Sequence, residues 1–547
     1  MSNKSVAARI GSALLPWLEI VAIVGLCYLF AGSPTPSVNE AHYLAKAKHY
    51  WQPEWCKGDF FLESADAHEV FYWTFGWMTK HYSLPATAWI GRLLVWFLFA
   101  ASWRRMVRAI TNVRGAAWLS VLCLLPLTYY GHLAGEWLIG GIEAKGFAYP
   151  LLFLAIAKAV EGKWWQAWPL LGLASSFHIL VGGWAVIAFL FALFMRRDEE
   201  QVNYTELAIW LVVGGLLALP GLIPALQLTA DATAEEIREA NITYTFRRLS
   251  HHLVPYRFAQ WNPFAPKFNV TRPLSFGLLC LLWWRFAGSI RTPRWQRLQM
   301  IVNGSLVIAA CGLMVELLSS PFDHFQIPYL SNMRASLLRF YWFRMSDMMI
   351  PVGLALFAIV RVRQPTARVW QVALTLLLGM MGLFLASQQY GYAARSMSIQ
   401  QQHWKETLPD AFRSSNWSRT TGELTEPDRI DEDWLDVCNW IRDNTPPVCT
   451  VLTPVRQQTF KWYAQRPDVV TWKDVPQDAA AIVAWWERRR AVHKLGDWPW
   501  ENPEQLANVL SSYGVTHIVW PTTTYKPYGD EVEQVYANEL FRVFEVR

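Results

Sequence analysis

Apolar runs long enough to span hydrocarbon recur along the chain from Leu14 to about Ser387, and after Gln388 they stop. This pattern predicts a polytopic α-helical membrane domain over residues 1–390, with a large outer loop at 33–85, followed by a soluble α/β domain over residues 391–547. The first run, Leu14 to Gly32, is longer than the apolar core of a signal peptide and predicts an uncleaved helix. Trp165 to Arg197 is too long for one ordinary span and predicts two helices turning near His178 to Gly183. The remaining runs bring the expected total to about eleven helices.

Charge orients this ladder. Lys4 and Arg9 precede the first run, "WRRMVRAITNVRG" follows the second, and "RTPRWQR" and "RVRQPTAR" follow later ones. Held on the cytoplasmic side, these clusters put the loop 33–85 and the C-terminal domain together on the outer side. The expected setting is the inner membrane of a bacterium, with a cytoplasmic N-terminus.

Composition narrows the classes. Hydrophobic residues make up 53% of the chain and charged residues 17%, below the quarter usual for soluble domains. The net charge of +6 sits mostly in short loops beside apolar runs, which is a topology signal, and no phosphate loop, zinc spacing or basic aromatic patch points to nucleic acid. Seven cysteines form no framework; Cys438 and Cys449 could pair in an outer domain.

Candidate chemistry gathers in four outer segments. The first loop holds Glu40, His42, Tyr43, Asp59, Glu63, Asp66 and Glu69. Ser37 followed by Glu40 reads as a capping box opening a helix from Val38 to Trp51, and the aromatic-rich stretch Asp66 to Tyr82 reads as an interfacial amphipathic helix. A second segment holds Glu136, Glu143 and Lys145; a third Arg247, Arg248, His251, His252 and Arg257; a fourth Arg334, Arg339, Arg344 and Asp347. Arg forks suit a phosphate or diphosphate, and a carboxylate suits removal of a proton from an incoming hydroxyl. The plainer readings are that Glu40 caps its helix and that single Arg residues meet headgroups. Arg339 and Arg344, set among apolar neighbours, carry the stronger functional reading.

The layout resembles the GT-C superfamily of membrane glycosyltransferases, whose first-loop motif in several members is Asp-Glu-x-x-Tyr. Here the stretch is "NEAHY", so Glu40 and Tyr43 match while Asn39 stands in place of the acid. The segments "WCKGDFFLESADAH", "GGIEAKGFAYP", "HILVGGW", "RFYWFRMSDMMIP", "WIRDNTPPVCTVLTP", "KWYAQRPDVVTWKDVP" and "YGVTHIVWP" further resemble a family of uncharacterised bacterial multi-span proteins over nearly the whole chain. The resemblance implies an inverting-type transfer of a sugar from a polyprenyl-phosphate donor, among membrane lipids, to a glycan, lipid or protein acceptor. Glu40, with Asp66 or Glu69, would be the catalytic acids. His42, Tyr43, Lys145, Arg247, Arg248, Arg339 and Arg344 would bind substrate, the guanidinium groups neutralising the leaving phosphate. Some relatives hold a divalent metal, for which Glu40, His42, Asp66, His68 and Glu69, with Glu136 or His251, could supply ligands. Two rival functions stay open: a transporter or flippase of a lipid-linked sugar, and a non-catalytic scaffold of envelope assembly.

In the C-terminal domain helical and strand signals alternate, which predicts a partly parallel sheet. "VCTVLTP", "DVVTWK", "VTHIVWP" and "LFRVFEVR" read as strands. With no Gly-rich phosphate loop, this domain is expected to act as a cap or acceptor-binding module. Trp485, Trp486, Trp498 and Trp500 could stack on sugars or pack the core.

Overall fold

The computed structural model describes residues 3–195, 203–254, 271–319, 328–362, 368–394, 427–495, 502–521 and 531–547. Arg257, Trp498 and Trp500 lie outside the described residues. Among the described residues six helices are long and apolar enough to cross a membrane: Leu14–Ala31, Leu84–Ile110, Tyr204–Gln227, Pro293–Leu317, Arg344–Val362 and Gln371–Tyr390. Ala116–Tyr130 and Ile179–Met195 are apolar but shorter. The expectation of about eleven spans is therefore not reproduced by length. Lys145–Val160 and Trp164–Phe177 are compact helices with an internal proline each, Pro150 and Pro169. Trp164–Phe177 packs against both Lys145–Val160 and Tyr204–Gln227.

The expected turn near His178 is present. The helix Trp164–Phe177 ends there because His178 takes an extended backbone (φ −151°, ψ 97°), and Ile179–Met195 starts at the next residue. A Cβ at Gly182 would stand 2.2 Å from the Ser175 backbone nitrogen, so only glycine lets the second helix fold back this tightly.

The first loop forms a helix over Glu40–Trp51, a short helix Phe60–Glu63 capped by the Asp59 side chain, and a helix Glu69–Thr74. The expected amphipathic helix over Asp66 to Tyr82 is broken: Glu69–Thr74 gives way at Phe75 to a 3-10 turn over Gly76–Lys80. The break buries Phe71, Tyr72 and Phe75 and leaves Trp73, Trp77 and Tyr82 exposed, as interfacial aromatics would be.

Among its described residues the C-terminal region carries a four-stranded sheet whose strands lie in the order Thr450–Leu452, Val515–Pro521, Phe541–Val546, Val532–Ala537. β1 (Thr450–Leu452) pairs parallel with β2 (Val515–Pro521). β2 pairs antiparallel with β4 (Phe541–Val546), and β4 with β3 (Val532–Ala537). The partly parallel sheet expected from the sequence is thus formed, with one correction. "DVVTWK" is not a named strand: it touches the sheet only through a bridge between Val451 and Asp468, then leaves as a strap. Val469 and Val470 are buried and anchor the strap, while Trp472 and Lys473 are drawn out of the sheet. Cys438 and Cys449 are both buried free thiols, so they do not pair here. Trp485 is fully buried against Trp472 and donates to the Thr471 carbonyl, which is packing.

Helix Phe460–Ala464 of this region docks on the first loop through a buried charge node. Lys461 Nζ lies 2.8 Å from Asp474, 3.1 Å from Asp468 and 3.5 Å from Asp59 of the first loop. Asp59 also accepts from the Asp468 backbone N–H. Burial disfavours the Lys461 charge, but the three carboxylates hold its proton well above the ordinary range.

Candidate functional site

One cavity of about 550 Å³ lies where the first loop, the segment between Gly131 and Lys145, the turn ahead of Arg344–Val362 and the C-terminal strap meet. Asn39, His42, Tyr43 and His68 line it from the first loop, Glu136, Glu143 and Lys145 from the second segment, Arg339 and Arg344 from the turn, and Lys473 from the strap. The N-terminal loop and the guanidinium groups do share a cavity, but the first-loop carboxylates do not face it.

Glu40 is the clearest correction. Its carboxylate is fully buried, and Arg92 Nε and Nη2 donate to its two oxygens at 2.6 Å each. The Ile142 and Ser37 backbone N–H groups donate to it as well, the latter being the surviving half of the expected capping box. A Cβ at Gly141 would meet Glu40 Oε1 at 2.7 Å, so glycine allows the second segment to close over this pair. With each oxygen occupied and no place in the cavity lining, Glu40 ties the first loop to helix Leu84–Ile110. Asp66 also sits behind the wall: its Oδ1 lies 2.7 Å from His68 Nδ1, and its Oδ2 3.7 Å from Lys46 Nζ. Burial alone would raise the Asp66 carboxyl, but the His68 ring and Lys46 hold it below the usual carboxylate range. Glu69 stands half-exposed in the first turn of its helix, outside the cavity, its carboxyl raised by burial and by Asp66.

The carboxylates that do line the cavity are Glu136 and Glu143. Glu136 is shared by Lys145 (3.0 Å), Arg344 Nε (2.9 Å) and the Tyr149 hydroxyl (3.1 Å). Glu143 pairs with Lys145 at 3.0 Å and accepts from Asn39 Nδ2 at 2.6 Å. Asn39 is thus a donor to a buried acid, where a second carboxylate would repel it. Asp347 sets the path of this segment by accepting from the Leu133 and Ala134 backbone N–H groups at 2.8 and 2.7 Å.

The guanidinium groups divide. Arg344 lines the cavity between Glu136 and His178, its Nη1 2.9 Å from His178 Nε2. Arg339 lines it with neutral partners, Asn241 Oδ1 at 3.0 Å and the Gln477 carbonyl at 2.8 Å. Tyr341 between them takes φ 53°, a left-handed conformation uncommon for an aromatic residue, and also lines the cavity. Thr243–Arg248 is a π-helical turn, which separates neighbouring arginines. Arg248 faces the cavity, its Nε donating to the Trp472 carbonyl at 2.8 Å. Arg247 does not line the cavity; it pairs with Glu239 and lies over the Trp486 ring.

His42 lines the cavity with its Nδ1 3.1 Å from Asp474, and Tyr43 with its hydroxyl 3.4 Å from His68 Nε2. Among the described residues no group of three or more His, Cys, Asp or Glu side chains is arranged to hold a metal. The ligand set that the resemblance implies is dispersed: Glu40 belongs to Arg92, Asp66 to His68, and Glu136 to Lys145 and Arg344.

Two balances follow. Lys145 and Arg344 offset Glu136 and Glu143, while Arg248, Arg339 and Lys473 have no carboxylate in ion-pair contact among the described residues. Part of the lining is apolar: Ile179, Leu180, Ala225, Leu226, Leu337 and Phe340. Leu226 is also 66% exposed, so this wall runs out onto the surface of helix Tyr204–Gln227. The sequence pattern does not disclose Lys473, because "DVVTWK" reads as a strand. Nor does it mark His68 as an Asp-backed imidazole; the spacing of Asp66 and His68 is the available signal.

Residues 432–492 match the family model described as "Domain of unknown function (DUF6798)". No curated protein matches the chain. Among solved structures, the chain is similar to the archaeal oligosaccharyltransferase AglB from Archaeoglobus fulgidus in complex with an inhibitory peptide and a dolichol-phosphate. That likeness has 10% identity and a TM-score of 0.42, covering 93% of this chain and 69% of that one. It is also similar to ArnT from Cupriavidus metallidurans bound to undecaprenyl phosphate, at 12% identity and a TM-score of 0.44, covering 100% of this chain and 98% of that one.

Proposed function

We propose that the protein is a membrane glycosyltransferase that moves a sugar from a polyprenyl-phosphate donor to an extracytoplasmic acceptor. The observation that carries this reading is the cavity's construction: three cations without carboxylate ion-pair partners among the described residues line it together with apolar side chains, one of which, Leu226, is exposed on the apolar helix Tyr204–Gln227. An anion carried on a long apolar tail meets both demands at once.

In the transfer, the acceptor oxygen forms a bond to the sugar's anomeric carbon as the bond from that carbon to the phosphate oxygen breaks. The bonding pair leaves on the phosphate, where Arg339, Arg248 and Arg344 offset the growing charge. The acceptor's proton goes to His68 Nε2, and Asp66 behind Nδ1 orients the ring and stabilises the imidazolium. The two carboxylates of the cavity hold Lys145, Arg344 and Asn39 in place and leave the proton to histidine. Binding precedes this chemistry: the tail lies along Tyr204–Gln227 while the headgroup enters the cavity.

The test is a set of radiolabelled polyprenyl-phosphate sugars offered to the full chain in proteoliposomes, with membrane extract as acceptor. Label should leave the lipid and appear in an acceptor. Intact donor crossing the bilayer would replace this reading with a transporter, and neither event would refute it.

A further inference from the structure

We infer that Lys473 and Arg248 together form the phosphate-gripping subsite of this cavity, so that the C-terminal domain supplies part of the binding site and does not merely cover it. The inference deepens the transfer reading and rests on it only for the lipid source of the phosphate; the cation pair stands on geometry.

Both side chains line the cavity from opposite domains. Among the described residues the Lys473 ammonium makes no hydrogen bond or ion pair, and Arg248 uses only Nε, on the Trp472 carbonyl. The same Trp472 ring lies 5.0 Å from the Arg248 guanidinium carbon. Consecutive residues of one strap therefore orient one cation and carry the other. Asp474, the next residue, makes no ion pair with either cation, because its carboxylate contacts Lys461 at 2.8 Å and His42 at 3.1 Å. The strap also fixes Arg339 through the Gln477 carbonyl and the first loop through the Gln477 side chain, which accepts from the Ala67 N–H.

Two like charges lining one cavity with no carboxylate in ion-pair contact are unfavourable, nearby Glu143 and Asp474 offset this only in part, and a bound anion removes the remaining penalty. Burial, and then Arg248, push the Lys473 ammonium down to about 8, the direction that such crowding produces. A guanidinium with its terminal nitrogens free and an ammonium with three rotatable donors match the several acceptor oxygens of a phosphate. Trp472 and Lys473 both fall in residues 432–492, so the segment matched by the family of unknown function acquires a role.

The test uses the full chain in nanodiscs with undecaprenyl phosphate as probe, uncharged undecaprenol as control and inorganic phosphate as soluble competitor, read by tryptophan fluorescence. Wild type should favour the phosphate lipid, Lys473→Met and Arg248→Met should each weaken it about tenfold or more, and Lys473→Arg should keep most of the affinity. Wild-type preference unchanged in Lys473→Met would overturn the subsite while leaving the lipid donor reading intact. Binding of inorganic phosphate that depends on Lys473, without preference for the phosphate lipid, would keep the subsite and remove the lipid as its source. Binding of neither phosphate by wild type would overturn both.

Discussion

Arg92 grips both carboxylate oxygens of Glu40 at 2.6 Å, and neither side chain is exposed. The residue that the sequence singles out as the first catalytic acid is therefore the anchor of the first loop. Removing one partner strands a buried charge, at a cost on the order of 3–5 kcal/mol. Glu40→Gln should lower thermal stability in detergent by that order, and a paired Glu40→Met, Arg92→Met change should recover part of it. A Glu40→Gln protein as stable as wild type but inactive in transfer would return Glu40 to the chemistry.

His68 is expected to carry the proton. His68→Gln should slow transfer about 100-fold or more with donor affinity little changed. In Asp66→Asn the ring loses the carboxylate 2.7 Å from its Nδ1, so transfer should slow about tenfold or more while donor affinity holds. Equal transfer rates in wild type and Asp66→Asn would remove the pair from the mechanism.

Lys473 gives a pH dependence of known sign. Its ammonium, ordinarily at 10.5, is brought down to about 8 by burial and Arg248, against the opposing pull of Glu143 and Asp474 and with Lys145 also nearby. Between those values the folded chain binds fewer protons than the unfolded one, so this group favours folding as pH rises while its grip on anions weakens. Affinity for undecaprenyl phosphate should therefore fall as pH rises above about 8 in wild type, and Lys473→Arg should hold it. Equal pH dependence in the two proteins would count against a titrating Lys473.

The charge node at Lys461 is predicted to hold the C-terminal domain onto the first loop. Lys461→Met leaves Asp59, Asp468 and Asp474 facing one another without a cation, a loss on the order of 3–5 kcal/mol. Hydrogen exchange should rise over residues 455–475 and in the first loop around Asp59. Asp468, raised to about 7 by burial and only partly offset by Lys461, opposes the node as it ionises. Its contribution is therefore most favourable below about 4 and is lost as pH rises through 7. Asp474, held low by Lys461 and His42 against burial, acts in the opposite sense and protects the node at neutral pH.

The elements written in local pattern are legible in the order of residues alone. Long apolar runs mark Leu84–Ile110 and Tyr204–Gln227, and the break at His178 follows from a run too long for one span. Arg339, Arg344, Arg248, His42, Tyr43 and Lys145 stand out by type and position as groups for an anionic substrate, and all of them line one cavity. Charge placement and hydrophobic length need no partner in space to be read, because lipid and water act on them residue by residue.

What the chain alone could not decide was the destination of each acid and base. Glu40 and Asp66 differ from Glu136 and Glu143 only in which cation or histidine the fold brings against them, and those partners stand from two to 208 residues away. A π-helical turn sends Arg247 out and Arg248 in, and a strap that leaves its sheet carries Lys473 into the cavity. A carboxylate's role is set by whether water, substrate or a buried counter-charge meets its oxygens. That is a property of packing, and no spacing along the chain contains it.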